Sequence, residues 1–541
     1  MANKLIHLTL IILITATLRL PDLSILPKWD WDEGVHFNIA HNLQEGRSEW
    51  FSIRYYWVPH PPLYYIAAGA FMNATSNNIA SMRLLSVIYA LATATLIYYI
   101  TCELMDETAG LLAGIFFALH PAAAYWGRTA LITNQLMALM ALSTYLLLLY
   151  SRRRDRRILH LTCLTIGLAT LTEYFAVAAA AAAIISILWH DRKRTIEVAA
   201  LTTIVPLLFI LYMYSTNQTQ YTADTLFQLT RFKPLSNPAM AAATGFILTA
   251  SLPLLILYSE KIRTLLHDTL SIKSRKASFA LLMFYLPFTT LIFLIPPTEQ
   301  SFMTALSFQW IASTFGLVFI NRLEHKSIIW LTYITYLIIL LGSARGDHIV
   351  MPLYPIWAAG LGIITAKFWQ NRHEYANILA PYFGPSAALI TSALILLPLP
   401  ALLIQDYAAF YGGGLKKMPL EKVGEVNSIV NSLVKPTDLV ITYSYFAPYI
   451  KAHTTTFSES IAYSGRGIGT YYRPSIPPER FTWNISIQNA KIIVIPKGLV
   501  SDLDQLGYGE FADQIRALKL IHEVNNSGYG PDYQIYENVN L

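Results

Sequence analysis

MRLLSVIYALATATLIYYITCELMDETAGLLAGIFFALHP, residues 82–121, decides the fold class. Two apolar runs, near 80–101 and 109–124, follow one another across a short polar break that carries Glu103, Asp106 and Glu107. A hydrocarbon layer about 30 Å thick is crossed by a helix of roughly 20 apolar residues, and each run is near that length. The pattern recurs along all 541 residues, of which 54% are hydrophobic and only 13% charged. Such a balance excludes a string of soluble globules. It predicts a polytopic α-helical membrane protein with about thirteen transmembrane helices.

The other candidate spans are Leu5–Leu18 and then 130–150, 158–172, 174–189, 195–214, 238–258, 277–296, 302–321, 327–343, 349–367 and 379–404. The net charge of +6 does not point to nucleic acid, because the basic residues sit in short knots between spans. SRRRDRR (151–157), HDRKR (190–194) and the stretch Lys261–Lys276 are the largest. Counted by alternate gaps, one side holds about 18 Lys and Arg and the other about nine, which puts the amino terminus in the cytoplasm and the carboxyl terminus outside.

That topology places WDWDEGVHFNIAHNLQEG, residues 29–46, in an outer loop spanning 19–79. At about 60 residues it is far longer than an ordinary connector, and loops of that length are functional or disordered. It crowds Asp30, Asp32, Glu33, His36 and His41 into one short stretch of a chain poor in charge. Val35, Ile39 and Leu43 recur at helical spacing, with Asp32 at the N-cap position and Gly46 at the stop. A second amphipathic piece, PPLYYIAAGAFM (61–72), follows His60. Two membrane-surface helices are expected, anchored by Trp29, Trp31, Trp50 and Trp57.

From about Gln405 the chain turns soluble. PLEKVGEVNSIVNSLV reads as a helix, TDLVITYS and NAKIIVIPKG as strands, FADQIRALKLIHEV as a helix and YQIYENV as a strand. Alternation of this kind predicts a small α/β domain. The chain thus divides into a membrane domain, 1–404, and an extracytoplasmic domain, 405–541. The two cysteines, Cys102 and Cys163, fall in spans, which leaves the outer domain without disulfides.

There is no P-loop, GxGxxG, HExxH or CxxC pair, so nothing recommends a user of cytosolic nucleotides. What remains is polar residues at the outer ends of spans: Asp32, Glu33, His60, Arg83, Arg128, Asn134, Glu173, and Arg345 with His348 in ARGDH. Carboxylates beside cations suit a reaction with a general base and an anionic leaving group. Asp32, Glu33 and His36 form a possible divalent-metal site, and no other cofactor is indicated.

WDEGVHFNIAHNL followed by HPPLYY resembles the first outer loop of the GT-C integral-membrane glycosyltransferases, in their protein mannosyltransferase and aminoarabinose-transferase-like branch. The quoted run 82–121, then GRTALITNQLMALMAL (127–142) and GLATLTEY (167–174), is similar to that family's second to fifth spans. HIVMPLYPIWAAGLG (348–362) resembles a late one. Asn134 stands where many members carry an acidic residue, and Glu173 where many carry lysine. The resemblance implies transfer of mannose or another hexose from a polyprenyl- or dolichyl-phosphate carrier to a hydroxyl on protein, glycolipid or glycan. Asp32 would be the base of an inverting displacement, with Glu33 beside it. His60, Arg83, Arg128, Asn134, Glu173, Arg345 and His348 would contact substrate. The alternatives are a flippase of lipid-linked saccharides, whose ionisable groups would sit nearer the midplane, and a receptor or assembly scaffold.

Overall fold

The computed structural model describes residues 2–24, 31–44, 61–75, 78–230, 347–400, 402–404, 420–444, 446–466, 476–481, 483–525 and 532–541, with scattered residues between 313 and 336. The expected spans 238–258 and 277–296 lie outside these residues. Those at 302–321 and 327–343 are described only in scattered positions.

Among the described residues, five helical stretches are long and apolar enough to cross a membrane: Ile79–Leu104, Ile132–Arg153, Arg192–Thr216, Val350–Gln370 and Arg372–Ile404. Local chemistry sets their ends. Helix α1 (Ala2–Arg19) is followed by α2 (Trp31–Gln44), α3 (Leu63–Ala74) and α4 (Ile79–Leu104). Asn78 caps α4 by accepting from the Ser81 N–H at 3.0 Å. Asp106 caps α5 (Glu107–Leu119) by accepting from the Ala109 N–H at 2.8 Å. These side chains satisfy backbone donors that a helix start leaves unpaired.

The expected span 109–124 stops early, at Leu119. There His120 becomes the N-cap and Pro121 the first residue of a short α6 (Pro121–Trp126), a position where the missing proline N–H is harmless. Helices α7 (Ile132–Arg153), α8 (Arg156–Thr170), α9 (Val177–His190), α10 (Thr195–Thr216) and α11 (Gln218–Thr230) follow. The expected span 379–404 is interrupted: the helices Arg372–Phe383 and Ala387–Leu396 flank a 3-10 turn at Gly384–Ser386. Gly384 has φ of +55°, which glycine alone adopts freely, and Pro385 follows it.

One apolar core joins α4, α5, α7 and the helix Tyr354–Gln370. Gly362 is the close approach: a Cβ there would lie 2.6 Å from the Ala109 carbonyl oxygen and from the Ala113 Cβ. Small residues let helices meet backbone to backbone where no water drives them together.

The carboxyl-terminal residues form a five-stranded sheet in the order β2-β1-β3-β5-β4. Strands β1 (Leu439–Ile441), β2 (His453–Thr455) and β3 (Ile492–Pro496) are parallel, while β4 (Lys519–Val524) and β5 (Tyr533–Glu537) complete it antiparallel. Alternate side chains serve two cores. Ile441, Ile493 and Ile495 meet Phe457, Phe511 and Ile515 on one face. Val440, Ile492 and Val494 meet Val423, Val426 and Val430 of the helix Leu420–Leu433 on the other. FADQIRALKLIHEV is not one helix but the helix Gly509–Arg516 followed by β4. Its second half pairs with β5, and that tertiary ladder overrides the helical pattern.

Gly362→Val should destabilise the bundle by about 1–3 kcal/mol through overpacking, read as earlier thermal denaturation in detergent. Gly424→Ala, at an open helical position, should leave the midpoint level or raised. Equal midpoints for both variants would refute the tight packing of Gly362 against α5.

Candidate active site

Helix α2 begins at Trp31, so Asp32 lies within its first turn rather than at the N-cap. The helix is buried along most of its length, and Gly69 of α3 admits the Ala40 carbonyl, which a Cβ would meet at 3.1 Å. Neighbouring carboxylates on a helix point about 100° apart, and Asp32 and Glu33 have correspondingly different fates.

Glu33 is fully buried and faces Arg83 of α4, also fully buried. Arg83 Nε donates to Oε1 at 2.8 Å and Nη2 to Oε2 at 2.7 Å, a two-pronged pair. Arg83 Nη1 donates to the Leu23 carbonyl at 3.0 Å, and the Ala130 N–H donates to Glu33 Oε1 at 2.7 Å. One ion pair therefore ties α2, α4, the segment after α1 and the turn before α7.

Two more buried arginines brace the same end. Arg128 donates to the carbonyls of Leu18 (3.4 Å) and Pro21. Arg19, which the sequence reading passed over, donates to Ala118 (3.0 Å) and Phe117 (3.3 Å) at the end of α5. A cation suits the negative end of a helix dipole. Asn134 Nδ2 donates to the carbonyls of Trp126 and Thr129, each at 2.9 Å, and so holds the turn that presents Arg128 and Ala130.

Asp32 is half-buried and sits around Tyr65 together with two other groups. The Tyr65 hydroxyl and His36 Nδ1 are hydrogen-bonded at 3.1 Å. Tyr65 is within electrostatic reach of both Asp32 and Glu173. Glu173 arrives because the Leu63 N–H donates to the Leu171 carbonyl at 3.0 Å, pinning the start of α3 to the end of α8. It lies in the turn between helices, where its carboxylate accepts from the Tyr174 N–H at 3.0 Å. Burial pushes its pKa up to about 7, against that hydrogen bond. Two carboxylates, an imidazole and a phenol from α2, α3 and the Glu173 turn thus share one corner. Tyr65 was legible only as part of the amphipathic piece PPLYYIAAGAFM.

His60 and Arg345 lie outside the described residues. His348 belongs to the 3-10 turn Asp347–Leu353, which packs beside α7. Of the expected metal-binding set Asp32, Glu33 and His36, both Glu33 oxygens are engaged by Arg83 and one also by Ala130, and His36 Nδ1 is hydrogen-bonded to the Tyr65 hydroxyl. Among the described residues, no group of three or more His, Cys, Asp or Glu is placed to hold an ion.

The fold resembles the GT-C fold of solved glycosyltransferases. Residues 59–219 match the family model for dolichyl-phosphate-mannose-protein mannosyltransferase. ArnT from Cupriavidus metallidurans in the apo state superposes with a TM-score of 0.58 at 11% identity, covering 99% of this chain and 97% of that one. The same protein bound to undecaprenyl phosphate gives 0.51 at 11% identity, covering 98% and 97%. The Archaeoglobus fulgidus oligosaccharyltransferase in its apo form gives 0.54 at 14% identity, covering 97% of this chain and 74% of that one. A sequence search of curated proteins finds no match.

Glu33→Ala leaves the Arg83 cation buried without its counter-ion, which should cost about 3–5 kcal/mol, seen as lost folded protein after detergent extraction. Arg83→Lys should rescue little, because an ammonium cannot replace the fork. Normal yield from Glu33→Ala would contradict the bracing role. For Glu173 the sign is set by its raised pKa. The folded state holds the proton between the ordinary value of 4.5 and about 7, so stability falls as pH rises through that window. Glu173→Gln should flatten that slope in thermal scans across pH, and an unchanged slope would exclude Glu173 as its source.

Proposed function

We propose that the protein is a polyprenyl-phosphate-sugar-dependent glycosyltransferase, moving a hexose from a polyprenyl- or dolichyl-phosphate carrier to a hydroxyl acceptor on protein, glycolipid or glycan. The reading rests on one observation above the rest: on a GT-C fold, Asp32 and Glu173 both lie within electrostatic reach of Tyr65, while Glu33 is engaged by Arg83 and Ala130. Glu33 braces the bundle through Arg83, and Asp32 is the carboxylate to which we assign the chemistry.

In the proposed step the acceptor oxygen attacks the anomeric carbon and its proton passes to Asp32. The bond from that carbon to the carrier's phosphate oxygen breaks, and its electron pair leaves on the phosphate. A single displacement inverts the anomeric configuration. Base catalysis of this kind contributes roughly 10²- to 10⁴-fold. Arg128 and Asn134 act as braces of the turn, since their donors serve backbone carbonyls. The leaving phosphate is assigned to His60, Arg345 and His348, as the family resemblance implies.

We assign the Asp32 end of the bundle and residues 405–541 to the extracytoplasmic side, and the amino terminus to the cytoplasm, on the distribution of basic residues. A lipid carrier accords with that side, because it brings its sugar through the bilayer without a soluble nucleotide.

Membranes containing the protein should transfer radiolabel from a polyprenyl-phosphate hexose to protein or lipid acceptors. Asp32→Asn, at matched expression, should lose at least roughly 10²-fold of that rate. Equal rates would remove Asp32 as the base. Transport of the intact lipid-linked sugar without transfer would favour a flippase.

A further inference from the structure

Two contacts join the sheet-bearing residues to the Asp32 end of the bundle. In the first, Arg480 of the 3-10 turn Pro478–Arg480 reaches Asp224 of α11: Nη2 lies 2.9 Å from Oδ2 and Nη1 3.2 Å from Oδ1. Their side chains are only 11% and 9% exposed. Gln220 Nε2 donates to the same Asp224 Oδ1 at 2.9 Å, which fixes the carboxylate on its helix. An exposed pair would contribute little. A two-pronged pair this covered holds its partners in one geometry, and removing one member strands the other charge.

The second contact is the 3-10 turn Ala447–Tyr449, which packs against α2. Tyr449 lies within electrostatic reach of both Arg83 and Glu33, and burial pushes its pKa up to about 12. Phe446 and Ile450, on either side of the turn, belong to the same apolar cluster as Phe37, Tyr64 and Tyr65. The sheet's second core is therefore continuous with the packing that holds α2. Asp224 has a link to the other side of the site as well. Tyr221, three residues earlier on α11 and so on the same face, lies beside Tyr174, the residue after Glu173.

We propose that Asp224 and Arg480 are positioning residues: their ion pair seats the sheet-bearing unit so that the Ala447–Tyr449 turn closes over α2 and fixes where an acceptor meets Asp32. The proposal deepens the glycosyltransferase reading and rests on it for its kinetic consequence. Neither residue reaches the reacting atoms. Asp224 acts through α11 on the Glu173 turn, and Arg480 through the seating of Tyr449 on α2.

Hydrogen exchange of the full chain in lipid nanodiscs tests the seating without any substrate. In Arg480→Ala and in Asp224→Ala, amides of α2 and of Ala447–Tyr449 should exchange faster, while those of β3 and β5 keep their protection. Arg480→Lys, which retains the charge but loses the fork, should fall between. Unchanged exchange at α2 and the turn overturns the proposal. So does loss of protection throughout β3 and β5, which would mean the pair holds the fold and not the position. In the transfer assay the alanine variants should lower kcat at saturating acceptor roughly 10- to 100-fold, as misplacement of reacting groups does, with the acceptor KM changed less. A wild type that transfers no sugar yet gives the expected exchange pattern would remove the glycosyltransferase reading and leave the seating intact. Transfer with unchanged exchange would do the reverse.

Discussion

Everything at the Asp32 end depends on burying one charge pair. Glu33 and Arg83 are fully covered, and four hydrogen bonds at 2.7 to 3.0 Å join them to each other, to Leu23 and to Ala130. Such a pair is a poor source of net stability, because desolvating both ions offsets their attraction. Its value is geometric. A carboxylate and a guanidinium that cannot be left alone in an apolar setting force α2, α4 and two loop segments into one arrangement. Helix α2 has few alternatives after that, and Asp32, next along it, is delivered to the Tyr65 corner.

Charge is sparse in this chain, and its placement divides labour. Arg19, Arg83 and Arg128 are all buried, and each donates to a carbonyl or to a carboxylate of the bundle itself. Asp32, His36, Tyr65 and Glu173 gather where the bundle meets the sheet-bearing unit. Glu173 keeps its proton to about pH 7 because burial outweighs its single backbone hydrogen bond. Asp32 and Glu173 both lie within electrostatic reach of Tyr65, an arrangement that accords with the proposed proton transfer from a hydroxyl.

The membrane class and the helices around residues 79–216 were legible because apolar runs of the span length leave few other solutions. The strands at Leu439–Ile441 and Ile492–Pro496 were legible for a similar reason, as short apolar runs between turns. Less legible were features set by partners far along the chain. Lys519–Val524 reads as helix until β5 is there to pair with it. Glu33 and Arg83 are 50 residues apart, and sequence placed them as neighbours in chemistry without saying that they bind each other. Arg128 and Asn134 read as substrate contacts by residue type, and the packed turn adds that both donate to backbone carbonyls. Arg480 carries no motif at all.

The anomeric configuration of the product tests the central claim most directly. With a polyprenyl-phosphate hexose of known configuration as donor, NMR of the transferred sugar should find the opposite anomer, as one displacement aided by Asp32 requires. Retention of configuration would require a double displacement or same-face attack and contradict a single inverting displacement with Asp32 as base.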